Sequence, residues 1–124
     1  MDLKEYFENT KGLGVIATAD ADGRVNAAVY ARPHVMEDGL LAFIMRDRTT
    51  HANTHANPVA TFLFKEDGPG YKGKRLYLTK VREEEDAELI NRLSRRSYSS
   101  DKNGKEAKFL VYFKVNKERP LIGD

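Results

Sequence analysis

The run Arg46-Asp47-Arg48-Thr49-Thr50-His51-Ala52-Asn53-Thr54-His55-Ala56-Asn57-Pro58 holds the densest set of anion-binding groups in this chain. Its two arginines and two threonines crowd the point where a helix is predicted to open, over residues 49–56. A helix opening leaves backbone N–H groups unpaired and carries partial positive charge, so a phosphate fits there. Guanidinium and hydroxyl groups alongside add charge-assisted and neutral hydrogen bonds. The competing reading is an ordinary helix start capped by Asp47 or Thr49.

Other groups offer chemistry that their surroundings do not complete. His51 and His55 stand four apart on the predicted helix, the spacing of two zinc ligands. Between them, Ala52-Asn53-Thr54 lacks the glutamate of H-E-x-x-H, and the sequence offers no evident third ligand, so no metal is expected. Gly68-Pro69-Gly70-Tyr71-Lys72-Gly73 satisfies G-x-G-x-x-G, yet a strand follows it where a dinucleotide site needs a helix. His34 reads as a strand surface residue. Arg92, Arg95 and Arg96 lack interleaved aromatics and close a helix that opens on Glu83-Glu84-Glu85-Asp86, which describes a solvated face. Tyr71, Tyr77, Tyr98 and Tyr112 read as packing rather than as a base-stacking platform. No catalytic constellation is evident, and the catalytic residues stay unassigned.

Composition narrows the field further. The chain has 124 residues, 40% hydrophobic and 32% charged, with a net charge of +2. That length suits one domain over residues 1–124, and so small a net charge argues against nucleic acid. With no cysteine, disulfides, thiolate metal sites and a cysteine nucleophile are excluded. No apolar run approaches a bilayer span and the amino terminus lacks a secretory core, so a cytoplasmic protein away from membranes is expected.

The elements that must position these residues follow from periodicity. Leu3, Tyr6 and Phe7 predict a short helix over residues 2–10, which Gly12 and Gly14 break. Strands are predicted over residues 15–19, 24–36, 40–45, 59–64, 75–81 and 109–115, with turns at Asp22-Gly23 and Asp38-Gly39. In the second strand Val25, Ala27, Val29, Ala31 and Val35 alternate with Asn26, Ala28, Tyr30, Arg32 and His34. Pro33 removes a ladder donor there and requires an edge or a bulge. Asn57-Pro58 closes the short helix. A longer helix is predicted over residues 83–96, its acids at the start and its arginines at the end matching the helix dipole. Residues 97–106 read as loop. Six strands with short turns and few helices give a mainly β (α+β) fold, an antiparallel β-barrel closed or nearly so.

Strand, Asp-Gly turn, strand, Asp-Gly turn, strand and then a Thr-Thr-x-x-Asn-x-x-x-Asn-Pro helix resembles the pyridoxamine 5'-phosphate oxidase-related family of FMN-binding split barrels. The resemblance runs from about Gly12 to Val81, and Arg48 to Asn53 with Asn57-Pro58 is its most specific part. It implies a homodimer that binds FMN between subunits, with a redox or electron-transfer role and an unassigned substrate. The phosphate would lie against Arg48, Thr49 and Thr50. The ring would lie along Asn26, Ala27, Ala28, Val29 and Tyr30, whose backbone would bond its pyrimidine edge, and Phe43 and Ile44 would line the same slot. Ala27 and Ala28 are small enough for a flat ring to approach the main chain. Two features depart from the larger oxidases. Thr49-Thr50 stands where they tend to carry Arg-Lys, and Arg119-Pro120 is only an echo of their pyridoxal-phosphate-binding carboxy-terminal segment. True pyridoxamine phosphate oxidation is therefore not expected. The alternatives are a deazaflavin- or haem-binding split barrel, or a cofactor-free ligand-sensing or scaffold module.

Overall fold

The computed structural model describes residues 2–94 and 107–123. Helix α1 (Leu3–Asn9) opens on Asp2, whose Oδ1 accepts the Glu5 N–H at 2.8 Å. It turns Tyr6 and Phe7 inward. Its last carbonyls are satisfied by a distant side chain, since Arg32 Nη1 donates to the oxygens of Phe7 and Thr10 at 2.5 and 3.0 Å. Strand β1 (Gly12–Ala19) follows. Gly12 and Gly14, expected to break the helix, lie within this strand, and α1 already ends at Asn9 with Thr10 extended. A Cβ on Gly14 would sit 2.5 Å from Phe62 Cζ and 2.7 Å from the Tyr30 oxygen, so only glycine lets β1 lie that close to its neighbours.

The single strand expected over residues 24–36 is two: β2 (Val25–Tyr30) and β3 (His34–Val35). The break falls at Pro33, which cannot donate to a ladder. β2 pairs with β1, whereas β3 pairs with β4 (Leu41–Arg46). The sheet therefore has seven strands rather than six, in the order β2-β1-β5-β6-β7-β4-β3 and antiparallel at every pairing. It curls into a half-barrel with β2 at one end and β4-β3 at the other. Helix α2 (Thr49–Ala56) links β4 to β5 (Val59–Glu66).

β6 (Gly73–Glu84) runs longer than expected and takes in Glu83 and Glu84, which pair with Val111 and Leu110 of β7 (Lys108–Pro120). The first two of the four acids that suggested a helix start are thus the end of a strand, and ladder pairing outweighs their helical preference. Helix α3 begins only at Ala87 and is described to Ser94, with Asp86 Oδ1 accepting the Leu89 N–H at 3.1 Å. Arg95, Arg96 and Tyr98 lie outside the described residues. The glycine-rich segment at 68–73 is the β5–β6 connection, with Gly68 and Gly70 at φ of 109° and 82°.

The concave side of the sheet holds the main core. Phe43, Phe62, Phe64 and Phe113 meet α1's Phe7 among Ile16, Leu76, Leu78 and Val111. Edge-to-face pairs such as Phe43–Phe62, with ring centroids 5.0 Å apart, fill it. A smaller cluster of Ala42, Leu110 and Tyr112 lies under Ile90 of α3. Among the described residues no helix is long and apolar enough to cross a membrane.

Candidate functional site

The gap between the two ends of the curled sheet is where α2 opens. Arg48 is its N-cap residue, in extended conformation, and no side chain caps the helix there. Neither expected cap is used, because Asp47 turns instead to His51, with Oδ1 3.1 Å from Nδ1. The first-turn N–H groups are thereby left for an outside acceptor.

Tertiary bonds fix the helix at this angle. Asn53 Nδ2 donates to Thr18 Oγ1 of β1 at 3.1 Å, with both side chains buried. Asn26 Nδ2 of β2 donates to Thr50 Oγ1 at 3.4 Å. At the far end the Asn57 N–H bonds the Asn53 carbonyl at 2.7 Å, while Asn57 Oδ1 accepts the Val59 N–H at 3.2 Å. The two asparagines of the motif are therefore a cross-link and a turn, and both are structural.

A cleft of about 490 Å³ lies against this opening, lined by Asn26, Ala28, Val29, Tyr30 and Ala31 of the β2 side, Ile44 and Arg46 of β4, and Arg48, Thr49 and Thr50. Eight of the ten residues anticipated for a cofactor thus share one concavity: Asn26, Ala28, Val29, Tyr30, Ile44, Arg48, Thr49 and Thr50. Ala27 is exposed on β2 and is not among the cleft-lining residues, whereas Val29, also exposed, borders the cleft at its rim. Phe43 lies on the core side of β4, edge-on to Tyr30 at 6.2 Å, and borders a smaller adjoining cavity of about 130 Å³. His34 and Arg32 line that smaller cavity too.

Ala31 was not among the expected cofactor contacts, and Arg46 was expected only as a charge that could stand with Arg48 near the phosphate. Arg46 follows Ile44 at the two-residue spacing of one strand face, and that signal was available in the sequence. Burial raises the Tyr30 phenol above its ordinary pKa, against the pull of its hydrogen bond with Thr50 and the nearby Arg48 charge. Tyr30 is therefore a neutral hydrogen-bonding wall of the cleft at physiological pH.

On its other flank α2 meets β6. His51 is buried and stacks on Phe109 with centroids 4.0 Å apart and an interplanar angle of 10°. Its Nε2 lies 3.1 Å from both carboxylate oxygens of Glu83, and His55 Nε2 lies 3.2 Å from Glu83 Oε1. Lys80 Nζ donates to the same Oε1 at 2.6 Å. Burial pushes the Glu83 pKa upward, but the hydrogen bonds and charges of Lys80 and His51 outweigh it, and the net shift is downward. The third side chain beside the two histidines, a carboxylate that the sequence did not reveal, is supplied here by the fold.

No family model matches the sequence, and no curated protein matches it. Solved structures match it in fold. An FMN-binding protein from Syntrophomonas wolfei subsp. wolfei superposes with a TM-score of 0.76 at 18% identity, covering 98% of this chain and 84% of that one. An F420 reductase gives 0.71 at 17% identity, covering 96% and 98%. A pyridoxamine 5'-phosphate oxidase-like protein from Lactobacillus delbrueckii gives 0.66 at 17% identity, covering 93% and 88%. With its curled antiparallel sheet, its short helix at the opening and these neighbours, the chain has the split-barrel fold of the pyridoxamine 5'-phosphate oxidase-like proteins.

Proposed function

We propose that the chain binds FMN in the cleft at the mouth of α2 and serves, as a homodimer, in flavin-dependent oxidation-reduction or electron transfer. One observation carries this reading: the uncapped helix opening and the edge strand β2 line the same cleft. A phosphate ester needs the first feature. A flat heterocycle whose polar edge must be read by main-chain groups needs the second, because an edge strand keeps backbone donors and acceptors on its unpaired side.

In that site Arg48 and Arg46 balance the phosphate charge while Thr49 and Thr50 donate hydroxyl bonds. The backbone of residues 26–30 orients the ring, Ala28 allows it to approach, and Ile44 packs against it. The flavin, when bound, supplies the electron-transfer chemistry, and the protein supplies orientation and electrostatics.

The homodimer is supported by the convex side of the sheet. Val25 and Val29 of β2 are 83% and 70% exposed, and Leu13, Val59 and Leu63 are exposed as well. Register makes them contiguous, since Val15 lies opposite both Val29 and Leu63. An apolar patch of that kind marks an interface, and a self-complementary two-fold contact is the commonest way to cover one.

A second reading, a deazaflavin in the same cleft, is favoured by the shared fold of the F420 reductase. Thr49-Thr50 also brings less positive charge than an Arg-Lys pair would. Mass spectrometry of the small molecule that copurifies with the chain separates the two. Recovered FMN, or saturable uptake of added FMN with a perturbed flavin absorbance band, is the expected result. Recovered F420 with no FMN uptake selects the second reading, and a colourless protein indifferent to both flavins overturns the two together.

A further inference from the structure

We propose that His51, His55 and Glu83 form a binding site for a first-row divalent transition metal of the zinc type, on the flank of α2 away from the flavin cleft. The donor atoms of the three residues all lie within 4.8 Å of one another. Ligands on a tetrahedron with zinc bonds of about 2.1 Å are separated by about 3.4 Å. The Nε2–carboxylate distances of 3.1 and 3.2 Å for His51 and His55 are already near that value. An ion can therefore replace these contacts with little movement of the backbone.

Three further observations fit a ligand set. His51 Nδ1 lies 3.1 Å from Asp47 Oδ1, the carboxylate–histidine pairing that directs the other ring nitrogen to a metal. Stacking on Phe109 fixes the His51 ring plane, so its Nε2 is aimed before an ion arrives. His55 is 58% exposed on its side chain, which gives the ion a route in and leaves room for water in the remaining position. Lys80 donates to Glu83 Oε1, the oxygen that also lies 3.2 Å from His55 Nε2, so an ion there shares that carboxylate with Lys80, and Oε2, 3.1 Å from His51 Nε2, offers the second oxygen. Two imidazoles and one carboxylate suit zinc and its neighbours rather than magnesium or calcium.

Such an ion would tie α2 to β6. None of the three donors lines the flavin cleft, so the site stands or falls independently of FMN binding. The test is calorimetric titration of the chelator-stripped 124-residue chain with zinc chloride at neutral pH, together with thermal melts and the visible spectrum after addition of cobalt chloride. Expected are saturation at one zinc per chain, a rise in Tm, and cobalt bands of a low-coordinate nitrogen–oxygen site. His55→Ala, which removes an exposed side chain, and Glu83→Gln should each weaken zinc binding by at least about tenfold. The proposal is overturned if zinc gives neither heat nor a Tm shift up to millimolar concentration. It is equally overturned if both variants, folded by circular dichroism, bind zinc as tightly as the parent.

Discussion

At the residue scale, Arg48 and Glu83 carry different kinds of charge work. Arg48 is exposed at an uncapped helix opening, so its removal should leave the fold intact and be felt in ligand affinity. Losing one charged hydrogen-bonding group costs about 1.5–3 kcal/mol, which corresponds to roughly ten- to a hundredfold in Kd. Arg48→Ala should show that loss in a fluorescence titration with FMN, and unchanged affinity would remove Arg48 from the phosphate seat. Glu83 is a question of pH. Its folded pKa lies below the ordinary 4.5, so its ion pairs stabilise the fold fully above that value and the contribution is lost as pH falls through the lowered one. In chelator, Glu83→Gln should therefore lower the urea midpoint at pH near 7, with a deficit that shrinks progressively at pH below about 4.5. A constant deficit across that window would show that the carboxylate charge contributes nothing.

At the element scale, α2 is too short to be stable by propensity alone and is held by bonds to three strands. Thr50 reaches β2, Asn53 reaches β1 and His51 reaches β6. Asn53 and Thr18 are 6% and 3% exposed, so truncating one strands the other in a dry site. Asn53→Ala should destabilise the protein by about 1–3 kcal/mol in chemical denaturation. It should also reduce FMN affinity, because the same helix presents the phosphate seat. Destabilisation with full flavin affinity would mean that the seat does not depend on the α2 anchor. The late start of α3 teaches a related lesson. Glu83 and Glu84 match a helix opening by charge, yet their pairing with Val111 and Leu110 keeps them in β6.

At the scale of the whole molecule, the curl of the sheet divides one face from the other. The concave face is sealed by α1 and its aromatic pairs, while the convex face of β2, β1 and β5 leaves valines and leucines in water. Val15 lies at the middle of that patch, between Val29 and Leu63. If this patch forms the proposed homodimer, the parent chain should sediment as a dimer and Val15→Glu as a monomer, with little change in the far-ultraviolet circular dichroism. A dimer that survives the change would move the interface elsewhere on the surface.

The sequence by itself determined the existence of most strands, the short helix over residues 49–56, an irregularity at Pro33 and the concentration of arginine and threonine before α2. Each is local: periodicity, turn chemistry and proline geometry act within a few residues. It also carried the likeness to split barrels, through the Thr-Thr and Asn-Pro spacing. It did not determine that residues 24–36 are two strands or that β6 reaches Glu84. Only the tertiary structure decided that Asn26, Ala28 and Tyr30 are the half-buried set of β2 while Val25, Ala27 and Val29 are exposed, because either alternating set is able to face inward. The same is true of Phe43, which the core claims, and of Glu83, which strand pairing brings to His51 and His55. Partners far apart in the chain meet only when the sheet curls, and no local pattern records that meeting.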